Sequence, residues 1–149
     1  MSHYVAARLP HLMVDPILIE QVLVNLLRNA AEAIEHAGRP AGRRSVELRV
    51  VPKQIEVQQV VEFSVVDSGA GLAPEVMDRL YEAFFSTKAE GMGIGLNLCR
   101  TIVESHHGRM QAENIYNGSE VSGCRFSFWI PVSGARNPIV GKDAGVTTT

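Results

Sequence analysis

Residues 15–36 read DPILIEQVLVNLLRNAAEAIEH, the longest patterned segment of the chain. Asp15 carries the side chain that caps free helix amides, and Pro16 suits the first helical position. Apolar residues then recur at Ile19, Val22, Leu23, Leu26, Leu27, Ala30, Ala33 and Ile34, a spacing that predicts one long amphipathic helix. Downstream, residues 37–44 hold two Gly, one Pro and three Arg and read as a loop. Residues 45–51 and 55–66 alternate as a hairpin does, and the second strand ends at Asp67-Ser68-Gly69. A short helix is predicted over 74–83, a glycine-rich loop over 91–95, and a helix over 96–105 that Gly108 stops. Residues 109–115 and 124–132 read as closing strands. From Ser133 on the chain is Gly, Thr and Ala with scattered charges, so a domain over 1–132 is expected to end in a disordered tail or linker over 133–149.

At 149 residues and 46% hydrophobic composition, the chain buries one core. Lys and Arg total 14 against 16 Asp and Glu, for a net charge of -2, and no basic patch is interleaved with aromatics, which argues against nucleic acid. Cys99 and Cys124 lie far apart, match no metal-ligand spacing, and read as small core residues in a reducing compartment. No apolar run reaches membrane-spanning length and no signal peptide opens the chain. A soluble, cytoplasmic domain without membrane contact is the expectation.

Three features carry chemistry. At 100° per residue, Asn25 and Asn29 fall within about 40° of each other on the first helix, beside its apolar arc. Stacked one turn apart, two carboxamides can offer oxygens to a hydrated Mg²⁺, although two solvated Asn on a helix edge are the plainer account when the pair is taken alone. In Asp67-Ser68-Gly69-Ala70-Gly71 a β-run delivers a carboxylate at its end, and two glycines let a flat ligand approach. Such a carboxylate suits an exocyclic amine of the adenine type; an Asp-Gly turn is the plain alternative. Gly91-Met92-Gly93-Ile94-Gly95-Leu96 stands at the mouth of a helix, where bare amides and the dipole favour phosphate. It has neither the strand before it of a dinucleotide fingerprint nor the Gly-Lys-Ser/Thr ending of a P-loop. Phe84-Phe85-Ser86-Thr87-Lys88 precedes it, an aromatic pair followed by a lysine that can reach phosphates.

QVLVNLLRNAAEAI, then VVDSGAGL, then LYEAFFSTKAEGMGIGLNLCRTIVESHHGRM, then GCRFSFWIPV resemble, in order and spacing, the N, G1, F, G2 and terminal boxes of the sensor histidine kinase catalytic domain. The resemblance covers residues 9–132 and places the chain with the GHKL ATPase superfamily. It implies an α+β fold, the two-layer α/β sandwich of the GHKL (Bergerat) type, a mixed sheet packed on helices with ATP under a flexible lid. The short interval from Gly71 to Gly91 is similar to the lid of nitrogen-regulation and oxygen-sensing kinases. By position, Asn29 is then the Mg²⁺ ligand, Asn25 its catalytic neighbour, and Asp67 the adenine reader beside Gly69 and Gly71. Gly91, Gly93 and Gly95, with Ile94 and Leu96, belong to the lid segment over the phosphates, and Lys88 and Arg28 offset their charge.

Two departures stand out. Glu32 and Ala33 occupy positions where many relatives carry a basic residue and an aromatic, and His107 replaces the first Gly of a His-Gly-Gly helix stop. Superfamily hydrolases place a Glu where Asn25 stands; an amide takes no proton from water, so transfer of the γ-phosphoryl group is the chemistry implied. An anti-sigma-factor type serine kinase, or a nucleotide-binding module without transfer, are the rival readings. None of His3, His11, His36, His106 or His107 sits in a helical His-Glu/Asp context followed by Pro. The acceptor histidine is therefore expected on a separate dimerisation domain, with a response regulator an indirect partner, and the chain reads as a fragment or free-standing domain.

Overall fold

In the computed structural model, which describes residues 1–79 and 92–132, the chain runs β1 (Ser2–Val5), α1 (Pro16–Ala37), a 3-10 turn (Ala41–Arg43), β2 (Val46–Ile55), β3 (Gln58–Asp67), α2 (Pro74–Asp78), α3 (Met92–Ser105), β4 (Arg109–Asn117) and β5 (Glu120–Pro131). The sheet order is β1-β2-β3-β5-β4, with β1 parallel to β2 and the other pairs antiparallel. The α+β, mixed-sheet expectation holds. Predicted features at residues 80–91 and 133–149, including Phe84, Phe85, Lys88 and Gly91, lie outside the described residues. Among the described residues, no helix is long and apolar enough to cross a membrane.

The long helix forms where its pattern places it. Asp15 Oδ1 accepts from the amides of Ile17 (3.0 Å) and Leu18 (3.3 Å), and Gly38 closes the other end in the left-handed region at φ 65°. Its buried stripe of Ile19, Val22, Leu26 and Ala30 packs with Leu96, Cys99, Ile102 and Val103 of α3 over one face of the sheet. That face supplies Val61, Val65, Phe126, Phe128 and Ile130, and the cross-strand partners Phe63 and Phe128 stack with ring centroids 4.7 Å apart. The opposite face is charged, with Lys53 to Glu62 at 3.2 Å and Arg125 to Glu113 at 3.4 Å.

Boundaries differ from expectation at several points; β4 runs on to Asn117 and β5 opens at Glu120, ahead of the strand expected over 124–132. Residues 52–54, expected as the hairpin connection, continue β2, and the turn falls at Glu56-Val57, with Glu56 at φ 56°. Pro52 is tolerated there because of strand alternation. The carbonyl of Val50 accepts from Ala6 across the β1 side (3.0 Å), so the nitrogen two residues on faces the same way, past the end of β1. β1 itself was unforeseen: it is four residues long and exposed throughout, so no apolar alternation marks it. The glycine-rich segment, expected as a loop over 91–95, is helical from Met92. Burial of Leu96, Cys99, Ile102 and Val103 on one face of α3 offsets the roughly 1 kcal/mol that each helical glycine costs.

Helix α3 ends in a Schellman arrangement: Gly108 N–H donates to Val103 O and His107 N–H to Glu104 O, both at 3.0 Å. His107 occupies the left-handed position at φ 68°, and a Cβ at Gly108 would collide with the carbonyl of Trp129. A residue with a Cβ is thus held where glycine is preferred, while glycine sits next door where nothing else fits. His107→Gly is expected to stabilise the chain by about 1 kcal/mol in urea unfolding, and Gly108→Ala to destabilise it by more than that. An unchanged midpoint for His107→Gly would show that its ring makes up the strain.

Candidate functional site

Strand β3 delivers Asp67 to the end of the sheet between Val46 of β2 and Cys124 of β5. The residue is 4% exposed. Its Oδ1 accepts from Gly69 N–H at 2.8 Å, and the Cys124 amide also donates to the carboxylate. Burial pushes the carboxyl above its ordinary value, and the two amides pull the other way without offsetting it. Burial, with the charges of Asp67 and Glu113, pushes the Cys124 thiol up to about 12, so it stays protonated.

The loop after Asp67 is fixed from several sides. Ser68 exchanges two bonds with Ser45, and a Cβ on Gly69 would stand 2.9 Å from both Cβ and O of Ala33, so α1 lies directly against the loop. Gly71 takes φ 78°, and a Cβ there would strike Val121. Asn114 of β4 grips Leu72 by both ends of its carboxamide, accepting from its amide and donating to its carbonyl, each at 2.8 Å. Arg39, just past the end of α1, donates to the carbonyl of Gly69 at 3.1 Å. Asn114 and Arg39 were missed by sequence reading. A signal for Asn114 existed: it follows Met110 and Ala112 on the inward-facing alternation of β4, where a polar residue needs a partner.

Along α1, Ala33 touches the Asp67 loop, Asn29 is one turn away, and Asn25 is one turn further, donating from Nδ2 to Cys99 Sγ of α3 at 3.6 Å. These steps are about 6 Å each along the axis. Helix α3 runs antiparallel to α1: Cys99 meets Asn25, and His106 Nε2 accepts from the Asp15 amide at 3.1 Å. That register brings the first turn of α3, with Gly93, Ile94 and Gly95, level with Asn29. Asn29 is half-buried, and among the described residues no hydrogen bond takes its carboxamide. The structure therefore gathers Asp67, Gly69, Gly71, Asn25, Asn29 and the start of α3 along one line. Arg28 is exposed, and Leu96 is buried in the core, where it seats α3. Among the described residues, no group of His, Cys, Asp or Glu forms a metal cluster, so a cation here would depend on amide oxygens and on its nucleotide.

Residues 14–134 match the family model described as histidine kinase-, DNA gyrase B-, and HSP90-like ATPase. The chain is 42% identical over 110 residues to the C4-dicarboxylate transport sensor protein DctS of Rhodobacter capsulatus, covering 74% of this chain and 16% of that protein. It is 40% identical over 121 residues to the sensor protein FixL of Bradyrhizobium diazoefficiens, covering 81% and 22%. The catalytic domain of the histidine kinase ThkA superposes with a TM-score of 0.65 at 30% identity, covering 87% of this chain and 76% of that one. The chain thus spans under a quarter of the length of these two curated relatives and most of an isolated catalytic domain.

Because folding raises the Asp67 carboxyl, the folded protein holds that proton more tightly than the unfolded one. The stability this contributes is full below the unfolded carboxyl's value, about pH 4, and is lost as pH rises through the higher folded value. Asp67→Asn, which keeps an acceptor for Gly69 and has no charge to desolvate, is expected to be more stable than the parent at pH 7. The gap should shrink towards pH 4 in urea titrations; a gap that does not vary with pH would refute the assignment.

Proposed function

Because the chain belongs to the histidine kinase-, DNA gyrase B- and HSP90-like ATPase family, we propose that it holds Mg-ATP along the line from Asp67 to α3 and passes the γ-phosphoryl group to a histidine on a separate dimerisation domain. The observation that carries this reading is the alignment of Ala33, Asn29 and Asn25 between the buried Asp67 loop and the first turn of α3. The residues fit the nucleotide chemically. Asp67 is a desolvated acceptor suited to the exocyclic amine of adenine, and Gly69 and Gly71 let the loop after it pack directly against Ala33 and Val121. The positive pole of α3 and the bare amides of Gly93, Ile94 and Gly95 suit phosphate.

Mg²⁺, when bound, would neutralise charge between the phosphates. Asn29 has a carboxamide available for it, with Asn25 beside it on the same stripe. Lys88 and Gly91 take their roles from the motif alone, as lid residues over the phosphates, and Arg28 adds positive charge at the rim. Residues 1–132 form the domain in this reading and 133–149 a tail or linker. The domain works in the cytoplasm without membrane contact, and a response regulator receives the phosphoryl group after the histidine. The choice of transfer over hydrolysis rests on Asn25, since an amide offers water no base.

Three outcomes are expected. Asp67→Asn weakens ATP by about 1.5–3 kcal/mol in calorimetry, through loss of a charge-assisted bond, and GTP competes poorly with the parent. Asn29→Ala removes most of the Mg²⁺-dependent part of ATP binding and leaves the fold intact. With γ-labelled ATP, the chain alone shows neither stable label nor brisk phosphate release, and it labels a cognate histidine-bearing helical hairpin when mixed with it. Stable label on the chain itself would favour a different acceptor, and rapid release would favour a hydrolase.

A further inference from the structure

Cys99 occupies a place in this cleft that the reading above leaves unused. Its side chain is 0% exposed. Sγ lies 3.6 Å from Nδ2 of Asn25 and 3.9 Å from the carbonyl of Val22, three residues earlier on α1. A thiol has one proton to give, and the Val22 carbonyl takes it, which leaves the sulfur lone pairs facing α1. Burial raises the thiol, so the proton stays in place to make that bond. The NH2 group of a carboxamide can only donate, and a sulfur whose proton points elsewhere can accept it. The chain Asn25 N–H to Cys99 S–H to Val22 O is therefore self-consistent, each group using the donor or acceptor it has.

That arrangement matters because a carboxamide has two chemically opposite ends of nearly equal size. Turned one way, Asn25 presents an oxygen to the cleft, which suits a cation or its bound water. Turned the other way, it presents two N–H donors and repels a cation. We propose that Cys99 is a positioning residue: by taking the NH2 of Asn25, it leaves the Oδ1 of Asn25 for the Mg²⁺–phosphate group. The inference rests on the assignment of Asn25 to the Mg-ATP site made above. It also explains why a half-buried Asn is paired with a soft, weak acceptor: the sulfur biases the orientation while leaving the oxygen uncommitted.

The test uses the full chain and the variants Cys99→Ala, Cys99→Ser, Asn25→Ala and the double variant Asn25→Ala/Cys99→Ala. Without nucleotide, the side-chain NH2 signals of Asn25 in ¹H–¹⁵N spectra, identified by their loss in Asn25→Ala, should shift in Cys99→Ala. They should return to a hydrogen-bonded position in Cys99→Ser, whose hydroxyl can also donate to Val22 and accept from Asn25. In calorimetry, Cys99→Ala should weaken Mg-ATP about twofold, as the correctly turned fraction of Asn25 falls to about one half, and leave ATP in EDTA nearly unchanged. Cys99→Ser should recover most of the loss, and Cys99→Ala should add nothing in the Asn25→Ala background. Equal losses with and without Mg²⁺, or additive losses in the double variant, would reduce Cys99 to core packing. If Asn25→Ala weakens Mg-ATP but Cys99→Ala does not, only the role of Cys99 fails. If Asn25→Ala itself changes nothing, the assignment of Asn25 fails and takes the inference with it.

Discussion

A carboxylate buried at the end of a sheet, with two backbone amides as its bonded partners, sets the terms for the rest of this molecule. Ionised Asp67 is costly in the empty domain, because desolvation outweighs the two amides that favour the charge. Such a group stays in place only if the backbone around it cannot relax outward. The loop from Ser68 to Leu72 meets that condition through Ser45 on β2's approach, Ala33 on α1, and the two-ended grip of Asn114 from β4. The loop is thus held by elements far apart in sequence, and its rigidity keeps a desolvated carboxylate from relaxing towards water.

Helix α1 measures out the remainder of the site. It is fixed at its start by the Asp15 cap and by His106, whose Nδ1 lies 2.9 Å from Ile102 O while Nε2 accepts from Asp15. At its other end Gly38 caps the helix and Arg39 ties it to the Asp67 loop. With both ends anchored, the one-turn steps from Ala33 to Asn29 to Asn25 become fixed distances between the Asp67 loop and α3. The antiparallel packing of α3 then sets its N-terminal turn beside Asn29. A change in the register of either helix would separate Asn29 from the first turn of α3, so the apolar seam of Val22, Leu26, Cys99 and Val103 sets that spacing as well as packing the core.

Features governed by local chemistry were legible in the sequence. The cap of Asp15, the stripe of α1 and the strand-terminal position of Asp67 depend on residues within a few positions of each other, and they fell where spacing placed them. His107 was legible as a strained helix stop for the same reason. What escaped is tertiary. β1 is too short and exposed to carry a pattern, Pro52 is permitted only by its place beyond the end of β1, and the helical start of α3 depends on a core face that lies further along the helix. Arg39, Asn114 and Cys99 act through partners 30, 42 and 74 residues away, so no spacing rule reveals what they hold.

The same partners bear on the choice between hydrolysis and transfer. A hydrolase needs a group that accepts a proton from water within hydrogen-bond reach of the reacting phosphate. The neighbours of Asn25 are a thiol that burial keeps protonated and a backbone carbonyl, and neither is a base of useful strength. Glu32 is the nearest carboxylate downstream on α1. It stands two turns, about 10 Å, from Asn25 along the axis and makes an interaction of its own. Under the proposed reading, a site with no base beside Asn25 among the described residues favours an incoming nucleophile that brings its own reactivity, as a neutral imidazole nitrogen does. The absence of charge at Asn25 and Cys99 leaves this stretch of the α1–α3 seam without a group that could draw a proton from water.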